Sequence, residues 1–181
     1  MKKFTMIVLT LLCSSPLLAQ IQLGGGLSYG LKADRPALTV KLLKPLSEKW
    51  NLSPGFTYYT NDPYIHRDEP LRLENVNRLY SIDMDFHHWI NLRHSRKLRA
   101  YTITGMNFSF VVFKSSQVLG LNREAIITET FNEVGLNLGL GASYQVSPAS
   151  QLYYEAKVVG FSDAGQLVVN LGFTTTLGAK D

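Results

Sequence analysis

Between Val134 and Tyr144 the residues Val134, Leu136, Leu138, Leu140, Ala142 and Tyr144 alternate with Gly135, Asn137, Gly139, Gly141 and Ser143. A period of two places the first set on one face of a strand and the second set on the other, so one face is apolar and the other small and polar. About eleven residues is also the length that a tilted β-strand needs to cross a bilayer. The small face offers no bulky side chain with which to fill a sandwich core. The competing reading, a half-exposed strand of a soluble sheet, has to be weighed against the rest of the chain.

The N-terminus favours export. Lys2 and Lys3 precede an apolar run from Phe4 to Leu12, followed by Ser14-Ser15-Pro16 and Leu17-Leu18-Ala19. This is the pattern of a secretory signal peptide cleaved after Ala19, which leaves residues 20–181 as the mature domain. The apolar run is too short to span as a helix, and no later segment reaches the roughly 20 consecutive apolar residues a membrane helix needs. Cys13 follows Thr10-Leu11-Leu12 rather than the small residues of a lipoprotein signal, so it leaves with the signal. A mature chain without cysteine has neither disulfides nor thiolate metal sites. Formal charge is +4, of which Lys2 and Lys3 contribute two, and the basic residues are scattered, so a nucleic-acid partner has no support.

Eight segments have strand character: residues 21–30, 37–43, 50–60, 78–90, 98–113, 125–144, 152–161 and 166–177. In the first, Ile21, Leu23, Leu27 and Tyr29 oppose Gln22, Gly24, Gly26 and Ser28; in the last, Leu167, Val169, Leu171 and Phe173 oppose Gln166, Asn170, Gly172 and Thr174. An even number of alternating strands with no helix-period segment can close on itself and so abolish its exposed edges. The expected fold is all-β, an eight-stranded antiparallel up-and-down transmembrane barrel. Connections at 44–49, 91–97 and 145–150 are short, whereas 61–77 and 114–124 are long, with 31–36 and 162–165 shorter on that same side. Outer-membrane barrels keep short turns in the periplasm and longer loops outside, which a periplasmic N-terminus reproduces here.

The run Gly139-Leu140-Gly141-Ala142-Ser143-Tyr144, the Ser147-Pro148 turn, Leu152-Tyr153-Tyr154-Glu155-Ala156-Lys157 and Asn170-Leu171-Gly172-Phe173 resemble the closing hairpins of the porin-like family of small eight-stranded outer-membrane barrels of Gram-negative bacteria. The last strand resembles the signal such barrels present to the barrel-assembly machinery: Asn170, Gly172 and Leu177 fit it, whereas Thr175 stands where an apolar residue is usual. The resemblance implies outer-membrane lipid and the assembly machinery as partners, and a ligand, if any, at the outer loops.

Side chains largely fill the interior of an eight-stranded barrel. The inward set is expected to include Asp83, Asp85, His87, Glu133, Glu155 and Lys157, with Lys41 and Arg99 as basic partners. Charges in such a place are costly unless paired, so a structural polar network is the expected role. Tyr101 and Ile103 point one way on the fifth strand while Met106, Phe108 and Phe110 point the other, and a bulge near Gly105 would reconcile them. Trp50 and Trp89 are expected in the periplasmic aromatic belt, and Tyr29, Tyr58 and Tyr59 in the outer one.

Catalysis finds little footing. Of His66, His87, His88 and His94, none is followed two residues later by serine, the arrangement expected of a lipid A deacylase of this architecture; His66 with Asp68 and Ser115 or Ser116 is the best remaining constellation. His87 and His88 point to opposite faces and cannot share a metal in the ordinary way. Gly24-Gly25-Gly26 leads into no helix and no phosphate-binding lysine. No catalytic residue, cofactor or metal is expected. The sequence thus reads as a non-enzymatic outer-membrane barrel with an envelope-structural or loop-mediated binding role. Its alternatives are a soluble periplasmic barrel holding a lipophilic ligand, with Leu136, Leu138 and Leu140 turned inward, and a lipid-modifying enzyme.

Overall fold

The computed structural model describes residues 21–31, 34–66, 73–90, 92, 95, 97–118, 124–160 and 165–177. The expected signal peptide lies outside them. Eight strands follow one another in the order β1 (Gln22–Gly30), β2 (Arg35–Pro45), β3 (Trp50–His66), β4 (Leu73–Ile90), β5 (Leu98–Val118), β6 (Glu124–Gln145), β7 (Ser150–Gly160) and β8 (Gly165–Thr176). Each pairs antiparallel with its neighbours, and β1 pairs with β8 from Gln22↔Thr176 to Gly30↔Val168, which closes the barrel.

Period-two alternation decides which way each side chain faces. Leu136, Leu138 and Leu140 are 63%, 61% and 62% exposed on the outside, whereas Asn137 between them is 0% exposed inside. Leu27, Leu38, Val40, Phe56, Ile82, Phe86, Phe108, Leu152, Leu171 and Phe173 continue the outer apolar face around the circumference. That facing is the opposite of the one the soluble alternative requires, which needs the leucines inside. Polar side chains instead point into the lumen, where Ser28, Thr39, Ser53, Thr57, Ser81, Asn107, Ser109 and Thr174 are buried.

Two prolines lie within β3, and the pairing shows how each is accommodated. Pro54 has no N–H to give to β2, and the β2–β3 pairing skips from Lys41↔Gly55 to Lys44↔Leu52 around it. Pro63 pairs only with Val76 on β4, because β2 pairs no further along β3 than Tyr59. There β3 is an edge strand, where proline is tolerated.

The structure corrects the expected long loops. Most of 61–77 and 114–124 is strand: Asp62–His66 pairs with Leu73–Asn77, and Val118↔Glu124 is the last pair of β5 and β6. The turn signal of Asn61-Asp62-Pro63 is absorbed as a register shift of the β3–β4 pairing between Tyr59 and Asp62. Strands β3 to β6 therefore continue past their neighbours as a four-stranded extension. Opposite it, the short turns cluster at the other end of the barrel.

A second correction concerns β5. Its pairing with β4 and β6 runs without a shift through Gly105, so there is no bulge. Tyr101 and Ile103 simply point inward, 2% and 1% exposed, on the same face as Asn107 and Ser109, while Met106 and Phe108 face out. Apolar residues occupy both faces because the lumen needs filling as well as the membrane side.

Candidate functional site

The lumen is the one place where charged side chains converge away from solvent among the described residues. Alternation puts Asp83, Asp85 and His87 on the inner face of β4, Glu155 and Lys157 on that of β7, and Lys41 on that of β2. Two linked clusters result. In one, Glu155 Oε1 lies 2.5 Å from Lys41 Nζ and accepts the Tyr101 hydroxyl at 2.8 Å, while Glu155 Oε2 accepts from Asn170 Nδ2 at 3.4 Å. In the other, Lys157 Nζ bridges Asp83 Oδ1 at 3.0 Å and Asp85 Oδ2 at 2.9 Å. Asn137 Nδ2 donates to Asp83 at 2.8 Å and to Asp85 at 2.7 Å, and Asn107 Nδ2 donates to Asp83 at 2.7 Å.

Three carboxylates thus share two ammonium groups, and amide and phenol donors supply the remaining hydrogen bonds. Such pairing is what makes buried charge tolerable: taking an ion out of water costs several kcal/mol, recovered only with good geometry and further hydrogen bonds. Above the ion pairs a hydroxyl relay links β1, β2 and β3, with Ser28 Oγ 2.5 Å from Thr39 Oγ1 and Thr39 Oγ1 2.8 Å from Thr57 Oγ1.

Glycines on the same face make room for rings. A Cβ at Gly141 would overlap the Tyr101 ring at Cε2, and Cβ atoms at Gly26 and Gly172 would fall 2.7 and 2.5 Å from the Tyr153 hydroxyl. Tyr101 is further held between His87, stacked at 4.6 Å, and Trp89, edge-on at 4.9 Å. Tyr153 carries Lys41 Nζ 3.4 Å above its ring. The space left among Thr39, Lys41, Asp83, Asp85, Glu155 and Lys157 is about 10 Å3, room for no more than about one water molecule.

Since the Tyr101 ring cannot retreat, Gly141→Ala is expected to cost about 1–3 kcal/mol through overpacking. A double-mutant cycle with Tyr101→Ala, measured by urea unfolding in vesicles, should show coupling on the order of 1 kcal/mol. Strict additivity would remove the ring contact as the cause.

Of the residues expected in the lumen, Asp83, Asp85, His87, Glu155 and Lys157 meet there, with Lys41 as a direct partner. Glu133 does not join them: it shares the inner parity of β6 but sits opposite Ser109, toward the extension, and is exposed. Arg99 is also exposed, at the short-turn rim, 5.7 Å above the Trp89 ring. The aromatic assignments need correction too. Trp89 and Tyr59 point inward; with the Asn51 amide turned so that its oxygen faces the indole, Trp89 Nε1 donates to it at 3.1 Å, and Tyr59 accepts from Gln166 at 3.3 Å. Trp50 does face outward, 4.7 Å from His88. His87 and His88 lie on opposite faces, and no cluster of metal-ligating side chains occurs among the described residues.

Asp68 lies outside the described residues. The backbones of His66 and Ser116 stand on β3 and β5 with β4 between them, roughly 10 Å apart at two strand spacings. Residues that sequence reasoning missed are Asn107 and the luminal tyrosines, whose partners lie on other strands and become visible only with the cross-strand register.

The sequence matches no protein-family model and no curated protein. Its fold is nonetheless shared with solved structures. The N-terminal β-barrel domain of Pseudomonas aeruginosa OprF aligns over 87% of this chain and 96% of that one, with a TM-score of 0.60 and 11% identity. Ail, the attachment invasion locus protein of Yersinia pestis, aligns over 86% and 95%, with a TM-score of 0.55 and 15% identity. A major outer membrane protein of Thermus thermophilus aligns over 86% and 98%, with a TM-score of 0.62 and 11% identity. The chain has the fold of the small outer-membrane β-barrels.

Proposed function

We propose that the mature protein, beginning after Ala19, resides in the outer membrane as a filled, non-enzymatic barrel whose short turns face the periplasm and whose β3–β6 extension faces outward to meet a partner. One observation carries this reading: the outer face is an apolar belt while the interior holds an ion-paired network that leaves only about 10 Å3 among its charged side chains. A lipid-facing exterior needs the first, and a general diffusion pore is incompatible with the second. Support for the outward role comes from the extension itself. Among the described residues, β6 pairs from Glu124 to Gly135 with β5 alone, roughly 40 Å of strand beyond its ladder with β7. Exposed Glu129 and Glu133 on that strand blunt self-pairing between copies.

Ail has been crystallised with the heparin analogue sucrose octasulfate. The charge of the present extension favours a different ligand, since residues 61–77 carry four carboxylates against two arginines. A cationic or neutral partner suits it better than a polyanion. The assembly machinery is the partner during insertion, engaging β8.

Planar-bilayer recording tests the filled interior: the purified protein should give no stable conductance steps, and reproducible ohmic steps would refute it. A mature chain without cysteine also allows orientation to be read directly. On intact cells a membrane-impermeant maleimide should label Thr130→Cys but reach Glu48→Cys only after the outer membrane is permeabilised. The reverse pattern would invert the barrel.

A further inference from the structure

Strand β6 leaves the barrel with one of its two edges in use. Among the described residues, Glu124 to Gly135 pair with β5 and with no other strand, and the ladder to β7 begins at Leu136↔Gly160. Alternate residues of an antiparallel strand direct their N–H and C=O groups to opposite sides, so about every second residue of this stretch presents a donor and an acceptor away from β5. From Thr128 to Val134 every residue is exposed, on both faces of the strand. The other edge of the extension differs. On β3, Pro63 interrupts the row of donors, which blunts an edge against further pairing. β6 carries no proline from Glu124 to Gln145.

The side chains of β6 define what fits that edge. On the parity that faces the lumen lower down, Glu129, Phe131 and Glu133 follow one another, and Phe131 is 50% exposed. Neither glutamate has an ion-pair partner among the described residues. Alongside them on the same face stand Ser109 and Val111 of β5 and Ser81 and Leu79 of β4, all uncharged. Arg78 and Lys114 occupy positions of the other parity, paired with Val112 and Thr128. The face that β6 offers is therefore an apolar ring between two carboxylates.

A second copy of the chain suits this edge poorly. Antiparallel self-pairing centred on Phe131 sets Glu129 of each copy opposite Glu133 of the other, and centring on either glutamate sets it opposite itself. Like charges directly opposite one another are destabilising. An extended segment with a cation, any neutral residue, an apolar residue, any neutral residue and a cation meets Glu129, Phe131 and Glu133 in a single register. That pattern reads the same in both directions, so it serves parallel and antiparallel addition alike. Its neutral positions fall beside Thr130 and Asn132.

We propose that the β6 edge between Thr128 and Val134 is a strand-addition site for an extended segment of another protein with the pattern Lys/Arg-x-apolar-x-Lys/Arg. Main-chain hydrogen bonds supply affinity, and the three alternate side chains supply specificity. The proposal rests on the reading above, in which the extension faces outward, and deepens it by naming the form of the partner.

The probe is a short synthetic peptide, Thr-Thr-Lys-Thr-Phe-Thr-Lys-Thr-Thr, titrated into the folded protein in lipid nanodiscs and followed by fluorescence anisotropy. Saturable binding is expected, weakened about two- to fivefold by Glu129→Gln or by Glu133→Gln, the effect of an exposed ion pair. Both glutamates are exposed, so these variants leave the fold in place. N-methylation of alternate peptide residues separates strand addition from charge attraction: one of the two alternate sets should abolish binding, and the other should leave it nearly intact. Absence of binding, undiminished binding of both methylated peptides, or equal binding of a peptide whose lysines directly flank the phenylalanine would overturn the site. Self-association through β6 in place of peptide binding would overturn it too. Maleimide labelling of Thr130→Cys on intact cells separates the two levels of failure. Labelling without peptide binding refutes the edge as a site and leaves the outward reading in place, whereas peptide binding without labelling refutes the outward reading and leaves the edge site.

Discussion

Lys157→Ala is expected to destabilise the barrel by about 3–5 kcal/mol, the cost of leaving buried charge without its partner. Lys157 Nζ is the one ammonium within 3.0 Å of both Asp83 and Asp85, and all three side chains are almost wholly buried. Without it two carboxylates face each other across Asn137, whose single amide nitrogen already donates to both. Adding Asp83→Asn and Asp85→Asn to Lys157→Met removes the unpaired charge together with its partner and should restore much of the loss. Equilibrium urea unfolding in lipid vesicles measures both. A loss below about 1 kcal/mol for Lys157→Ala would mean that water reaches the network and that the interior is not filled.

The outer face gives the second large effect. Leu138→Arg should cost about 2–4 kcal/mol if the residue sits near the bilayer midplane. Leu138 is 61% exposed and flanked by Leu136 and Leu140 on the same face, so the introduced guanidinium would enter hydrocarbon rather than water. Vesicle refolding followed by protease protection reads the outcome, and refolding at the level of the unaltered protein would refute the facing assignment. The neighbouring Asn137→Arg should fail for the opposite reason: at 0% exposure the lumen has no space for the longer side chain.

What the sequence reveals and what it hides follow from the same period-two rule. Alternation in β1, β6 and β8 is legible because one face is uniformly apolar and the other small. Asp83, Asp85 and His87, two residues apart on β4, share a face on any register. The signal weakens wherever the lumen takes apolar or aromatic residues. Along the chain alone, Tyr101 and Ile103 imply a change of face that requires a bulge, yet they are luminal filler, and Tyr101 fits only because Gly141 lies directly across from it on β6. Pairings of that kind depend on register between strands, which composition along a single strand does not specify. The same holds for Asn107, Asn137 and Asn170, small polar residues in the sequence that act as donors to buried carboxylates in the fold. Glu133 shows the converse limit, because parity fixes direction but not height along the barrel axis. Pro63, a turn signal in isolation, is tolerated within β3 because the strand has become an edge there.

Fractionation of expressing cells combined with gel mobility is the first test of a closed barrel in the outer membrane. Recovery in the outer-membrane fraction is expected, with unheated detergent samples migrating differently from boiled ones, because a closed barrel keeps its structure until heated. Recovery in the soluble periplasmic fraction with identical mobility before and after boiling would contradict it.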